Sequence, residues 1–391
     1  MLKKADNSGR MYGILRFTVI FIFILLPSQV MTAPNNADLE NLQIKVTGGA
    51  VLTPFFSSDQ TMYHVKVDND IKRVYIRVYA LASASKLSVN KDSVDAYSWY
   101  PGNLSIGENR FEITVTAPDG KTTKAYFLYV SREDLKSLTD KFLKFIYQDE
   151  ATGLSMSYRL FVPDNYDPKK SYPLVLFLHG GGERGADNEL QLHGTMGAAI
   201  WAKPEEQAKR PCFVLVPQAH PSNDPDPRIP YTGFGITRDK DSNRYMELAF
   251  TPSEDLKLAV KILERVQKEY SVDSSRLYVT GLSQGGFGTW NINLMHPKLF
   301  AAMVPTCGGG DPAQAYKLIN KPIWAFHAED DPVIPVSYSR NIISMLRSKG
   351  GKPLYTEYPS GTYIMPYEHF SWVLAYKNEQ MREWLFNQVN K

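Results

Sequence analysis

The apolar rhythm of this chain changes near residue 140, and that change dictates two domains of different class. Before it, "MYHVKV", "RVYIRVYA", "RFEITVTA" and "KAYFLYV" alternate apolar and polar residues with period two. Such alternation suits strands with one face buried and one wet. Turn-forming groups separate them ("DND", "PGN", "GEN", "APDG"), so residues 38–132 are expected to form a small all-β sandwich. After the polar stretch 133–140, a linker or short helix, apolar residues arrive in continuous blocks: "YPLVLFLHG", "CFVLVPQA", "RLYVTGLS", "AAMVPTCGG", "PIWAFHAED". Continuous blocks describe strands covered on both faces, hence a mostly parallel, doubly wound α/β sheet over residues 141–391. "KFIYQDEATG" and "SMSYRLFVP" are expected to lead into it as an antiparallel hairpin. Between the blocks, "TPSE" opens a helix with Thr251 as N-cap, Pro252 at the first helical position and Glu254 closing a capping box.

The formal net charge is +3, and Lys3, Lys4, Arg10 and Arg16 against Asp6 account for all of it. The rest of the chain is neutral, which gives nucleic acid no basis as a partner. Those basic residues precede "FTVIFIFILL", and small or polar residues follow up to Ala33. Residues 1–33 therefore read as an export signal that is removed, because the apolar run is short for a membrane span. The mature protein is expected to be secreted or periplasmic, with no stable insertion in a membrane.

Within "YVTGLSQGGFGTW", Gly281-Leu282-Ser283-Gln284-Gly285 fits G-x-S-x-G, a strand-to-helix turn that holds a serine hydroxyl above a sheet. A nucleophilic serine needs a base, a group to orient the base, and donors for an oxyanion. In the order Ser, acid, His, only His369 in "PYEHFSW" lies beyond the acid cluster Glu329-Asp330-Asp331 that follows Ser283. The acid comes from "HAEDDPVIPV": Asp331 is chosen because the chain turns directly after it, with Asp330 as the alternative. Gly181 in "LFLHGGGERG" and Gln284 would supply the oxyanion amides. No P-loop lysine follows that glycine run, and its spacing does not fit a dinucleotide fingerprint. The chemistry calls for no cofactor and no metal; "DKDSN" (Asp239, Asp241, Asn243) lacks the glycine a calcium loop needs. His179, Tyr231, Phe234 and Trp372 are candidates for the substrate pocket.

The motifs "LHGGGERG", "PCFVLVPQ", "RLYVTGLSQGGFGTW", "HPKLFAAMVPTCGGGDP", "FHAEDDPVIPV" and "HFSW" resemble those of α/β-hydrolase esterases, close to the exported group related to phospholipase/carboxylesterase and "predicted peptidase" proteins. The first domain, through "VLTPFFSSDQTMYHVKV" and "GENRFEITVTAPDG", resembles cadherin-like or immunoglobulin-like modules. The resemblance implies hydrolysis of a small or polysaccharide-linked ester, feruloyl and acetyl types included. Glu368 and Ala328 stand where that family commonly has glycine. Its strand order implies that Cys212 and Cys307 lie two strands apart and remain buried thiols. A prolyl-oligopeptidase-like serine peptidase, and a non-catalytic carbohydrate-binding or adhesion protein, are the other readings.

Overall fold

The computed structural model describes residues 33–221, 233–235, 253–364 and 366–390. The expected signal segment, Tyr231 and the "DKDSN" loop lie outside them. The first domain contains β1 (Leu39–Lys45), β2 (Met62–Val67), β3 (Arg73–Ala80), β4 (Lys86–Val89), β5 (Asp92–Val94), β6 (Tyr100–Asn103), β7 (Gly107–Thr116) and β8 (Thr123–Arg132). They form two sheets, β1-β3-β6 and β2-β8-β7-β4-β5. β2 and β3 coincide with the alternating runs read from the sequence. In β3, Val74, Ile76 and Val78 face the core while Arg73, Tyr75 and Arg77 face out. Tyr63, Phe111, Ile113 and Leu128 fill the space between the sheets.

The second domain contains β9 (Leu143–Gln148), β10 (Ser155–Phe161), β11 (Tyr172–Leu178), β12 (Phe213–Pro217), β13 (Val272–Leu282), β14 (Ala302–Thr306), β15 (Trp324–Ala328) and β16 (Leu354–Tyr358). They make one sheet in the order β16-β15-β14-β13-β11-β12-β10-β9. The strands from β11 onward run parallel, and β9-β10 is the antiparallel hairpin at the edge. Every residue of β11 and of β12 is buried, and full burial of a leucine or phenylalanine stabilises by about 1.5–3 kcal/mol. Helices cover both faces, so two separate apolar layers flank the sheet. Cys212 and Cys307 are free and buried, with β11 and β13 between their strands.

One expectation needs correction. The helix over Glu254–Glu269 is capped by Ser253, whose side chain accepts from the Leu256 N–H. Glu254, as the first helical residue, sits too early to close a capping box, and Thr251 and Pro252 lie outside the described residues.

Candidate functional site

Ser283 sits where β13 turns into the helix Gln284–Met295, with φ 53° and ψ −119°. This is left-handed backbone that an L-residue adopts at a cost of about 1–3 kcal/mol. The flanking glycines are required by close approach. A Cβ on Gly285 would lie 1.9 Å from the Leu178 carbonyl oxygen, and one on Gly281 would lie 2.3 Å from that of Gly285. The Ser283 N–H is held by the Thr306 carbonyl oxygen at 3.1 Å and by Cys307 Sγ at 3.2 Å.

The Ser283 hydroxyl lies 3.0 Å from His369 Nε2, and His369 Nδ1 lies 2.7 Å from Asp331 Oδ2. His369 comes from the short helical turn Glu368–Ser371, and Asp331 from the turn after β15. Asp331 Oδ1 accepts the N–H groups of Val333 and Ile334 at 2.8 and 2.9 Å. Asp330, the alternative acid, points elsewhere: its Oδ2 accepts from Ser360 Oγ and from the Gly361 N–H.

His327, which the sequence offered only as a strand residue, proves to be a second support for Asp331. It is fully buried, with Nε2 3.3 Å from Asp331 Oδ2 and 2.9 Å from the Ile334 carbonyl oxygen. Its Nδ1 meets Ser339 Oγ at 2.8 Å. Burial would push the Asp331 carboxyl up, but hydrogen bonds from His327, His369 and the Ile334 amide hold it well below the usual carboxylate range.

These groups open into a cavity of about 440 Å³. Gly181 and Gln284 border it, and among the described residues neither backbone N–H has an acceptor. Both are therefore available to an oxygen held above Ser283. Trp372 also borders the cavity and meets His369 edge-on, ring centroids 5.2 Å apart. Tyr367, Phe370, Val333 and Ile334 add apolar surface to the same wall.

His179 and Phe234 do not border the cavity. His179 ends β11 completely buried, where its Nδ1 donates to the Gly180 carbonyl oxygen and its Nε2 accepts from the Ala219 N–H. It thereby ties the end of β11 to the end of β12, and Phe234 packs against its ring at 4.8 Å.

Cys307, Asp331 and His369 present ligand atoms within 4.8 Å of one another. Burial pushes the Cys307 thiol well above its ordinary value. The Cys307 sulfur takes the Ser283 N–H at 3.2 Å.

The Cadherin-like beta sandwich domain matches residues 39–133, and the Esterase family matches residues 150–341. A solved structure described as a thermostable esterase is 39% identical, with a TM-score of 0.58 over 74% of each chain. "Probable feruloyl esterase C" of Aspergillus niger is 25% identical over 185 residues, 46% of this chain and 56% of that protein. "Probable glutamyl endopeptidase, chloroplastic" of Arabidopsis thaliana is 29% identical over 186 residues, 44% of this chain and 17% of that one. The chain thus spans less than two thirds of the length of either curated relative. With 39% identity to the esterase structure over 74% of both chains, a matching Esterase domain and a mostly parallel sheet of eight strands, the chain belongs to the esterases of α/β-hydrolase fold and carries a cadherin-like β-sandwich in front.

Proposed function

We propose that this protein hydrolyses carboxylic esters through an acyl-enzyme formed on Ser283. The observation that carries the reading is the hydrogen-bonded line from Ser283 through His369 to Asp331, 3.0 and 2.7 Å, opening into the cavity. Ser283 Oγ attacks the acyl carbon while His369 Nε2 takes its proton. Asp331 accepts the other ring proton of His369 and steadies the imidazolium. The N–H groups of Gly181 and Gln284 receive the oxyanion. His369 then returns the proton to the leaving alcohol. Water, deprotonated by the same nitrogen, releases the acid and restores Ser283.

The aromatic wall of Tyr367, Phe370 and Trp372 suits a flat or apolar acyl group, and the name of the fungal relative favours a feruloyl-type ester. The basic and apolar order of residues 1–33 supports export of the mature enzyme. Peptide hydrolysis is a second reading, favoured by the stretch shared with the plant endopeptidase; comparison of an ester with its matching amide separates the two.

The test is nitrophenol release from 4-nitrophenyl acetate by the full protein and by Ser283→Ala. Turnover that disappears in the variant is expected. Equal turnover by both would remove Ser283 from the chemistry. Failure of the folded wild type to turn over this and longer 4-nitrophenyl esters would refute the esterase reading.

A further inference from the structure

The loop between β2 and β3 belongs to the sandwich, yet it is fastened to the catalytic half on several sides. Asp68 meets Lys377 at 2.6 Å and Lys203 at 3.9 Å, and Lys203 also meets Glu133 at 2.9 Å. The Asp70 carboxylate accepts the Met196 N–H at 3.0 and 3.3 Å. Further along the same boundary, the Lys45 ammonium lies 4.0 Å from the Tyr363 ring centroid. A loop held in this way fixes the backbone that carries Lys72, two residues past Asp70. The Lys72 side chain borders the same cavity as Ser283 and His369.

Lys72 forms no ion pair among the described residues. Asp70, the acid whose carboxylate feels the Lys72 charge, already accepts the Met196 N–H. Arg184, a second cation on the cavity wall, donates from Nε to the Gly181 carbonyl oxygen at 3.0 Å. Lys72 and Arg184 thus place two basic side chains on the cavity wall. Lys72 is exposed at the mouth, so its attraction for an opposite charge acts through solvent and weakens with salt.

We propose that Lys72 is a specificity-determining residue that receives a carboxylate carried by the ester substrate at a distance from the scissile bond. The sandwich then selects acid-bearing esters for the catalytic half. This inference rests on the ester-hydrolase reading and names its substrate class. The carboxylate has two chemical sources: the acyl group, as in a half-ester of a dicarboxylic acid, or the alcohol, as in an esterified hydroxy acid. Neither source alters the bond-breaking step; the carboxylate binds and is released unchanged.

The experiment measures kcat/KM of the full protein on two matched pairs. Mono(4-nitrophenyl) adipate against 4-nitrophenyl hexanoate probes the acyl side, and 4-acetoxybenzoate against its methyl ester probes the alcohol side. In one pair, Lys72→Met is expected to lower the anionic-to-neutral ratio about fivefold, the worth of one partly screened ion pair. The loss should fall on KM, and Lys72→Arg should restore the ratio. Added sodium chloride should lower the wild-type ratio in the same pair, a readout that needs no variant. Ratios in both pairs that are unmoved by Lys72→Met and by salt, while neutral esters still turn over, would overturn the role of Lys72 and leave the esterase standing. Absence of turnover on all four esters would instead strike the ester-hydrolase reading.

Discussion

Glu183→Gln should flatten the dependence of stability on pH between about 5 and 7. Glu183 lies under the glycine loop, 8% exposed, with its carboxylate on the N–H groups of Gly180 and of Glu183 itself. Burial is the largest influence and raises its pKa from 4.5 to about 7; the two amides oppose this, and Asp70 adds to it. His179, 4.0 Å away, offers no compensating charge, because burial pushes it down to about 4. Between about pH 4.5 and 7 the folded protein therefore holds a proton that the unfolded chain has released. Stability falls as pH rises through that window. At about 1.4 kcal/mol per pH unit, the difference of about 2.5 pH units amounts to about 3 kcal/mol. Glutamine cannot titrate, so the variant lacks this slope. Asp70, raised by burial to about 6, contributes its own slope to both proteins and largely cancels in the comparison. The assay is guanidinium unfolding followed by tryptophan fluorescence at pH 5 and 7.5. Trp201, Trp290, Trp324, Trp372 and Trp384 lie in the catalytic half, with Trp99 alone in the sandwich, so the signal reports mainly on the right domain. Wild type should lose about 2–3 kcal/mol more than the variant across this interval. Parallel losses would refute the reasoning.

Asp331→Asn should lower kcat about 10³–10⁴-fold with little change in KM, because the amide favours the wrong His369 tautomer; steady-state kinetics on 4-nitrophenyl acetate reads this. Gly285→Ala should destabilise by about 3 kcal/mol or more, since its methyl group meets backbone at 1.9 Å, whereas Gly181→Ala, with nothing within 4 Å of the added carbon, should change stability by less than about 1 kcal/mol. Thermal melts of the two variants side by side check the contrast.

Much of the site was legible in sequence because its local geometry demands particular residue types. Gly281 and Gly285 are glycine because backbone passes within 2.3 Å of where a Cβ would stand, and the order of serine, acid and histidine follows the order of strand ends. Asp331 could be preferred to Asp330 from the turn that follows it, and that turn is what supplies the Val333 and Ile334 amides. What the sequence did not carry depends on contacts across the fold. His327 reaches Asp331 only because the turn after β15 folds back over its own strand. Lys72 borders the cavity only because the sandwich docks, and no periodicity records docking. His179 follows the β11 block and Phe234 lies in the long polar loop after β12, but the hydrogen bonds of His179 at the end of β11 and its ring contact with Phe234 keep both out of the cavity lining. Thr251 and Ser253 are both helix-capping residue types, so the sequence does not single out Ser253 as the cap of this helix.

Asp331 and Glu183 show why burial alone cannot assign a role to an acid. Each is 8% exposed and each borders or supports the same cavity, yet they are driven in opposite directions. The difference lies in the donors. Two imidazoles and two backbone amides converge on Asp331, so its charged form is favoured despite desolvation. Glu183 has two backbone amides and a neighbouring carboxylate, and desolvation prevails. In the proposed mechanism the acid must stay ionised to hold an imidazolium in place, and of the two Asp331 is the one so equipped. Glu183, protonated over much of the acidic range, is suited instead to bracing the glycine loop from beneath, without placing a full negative charge where the proposed mechanism puts an oxyanion.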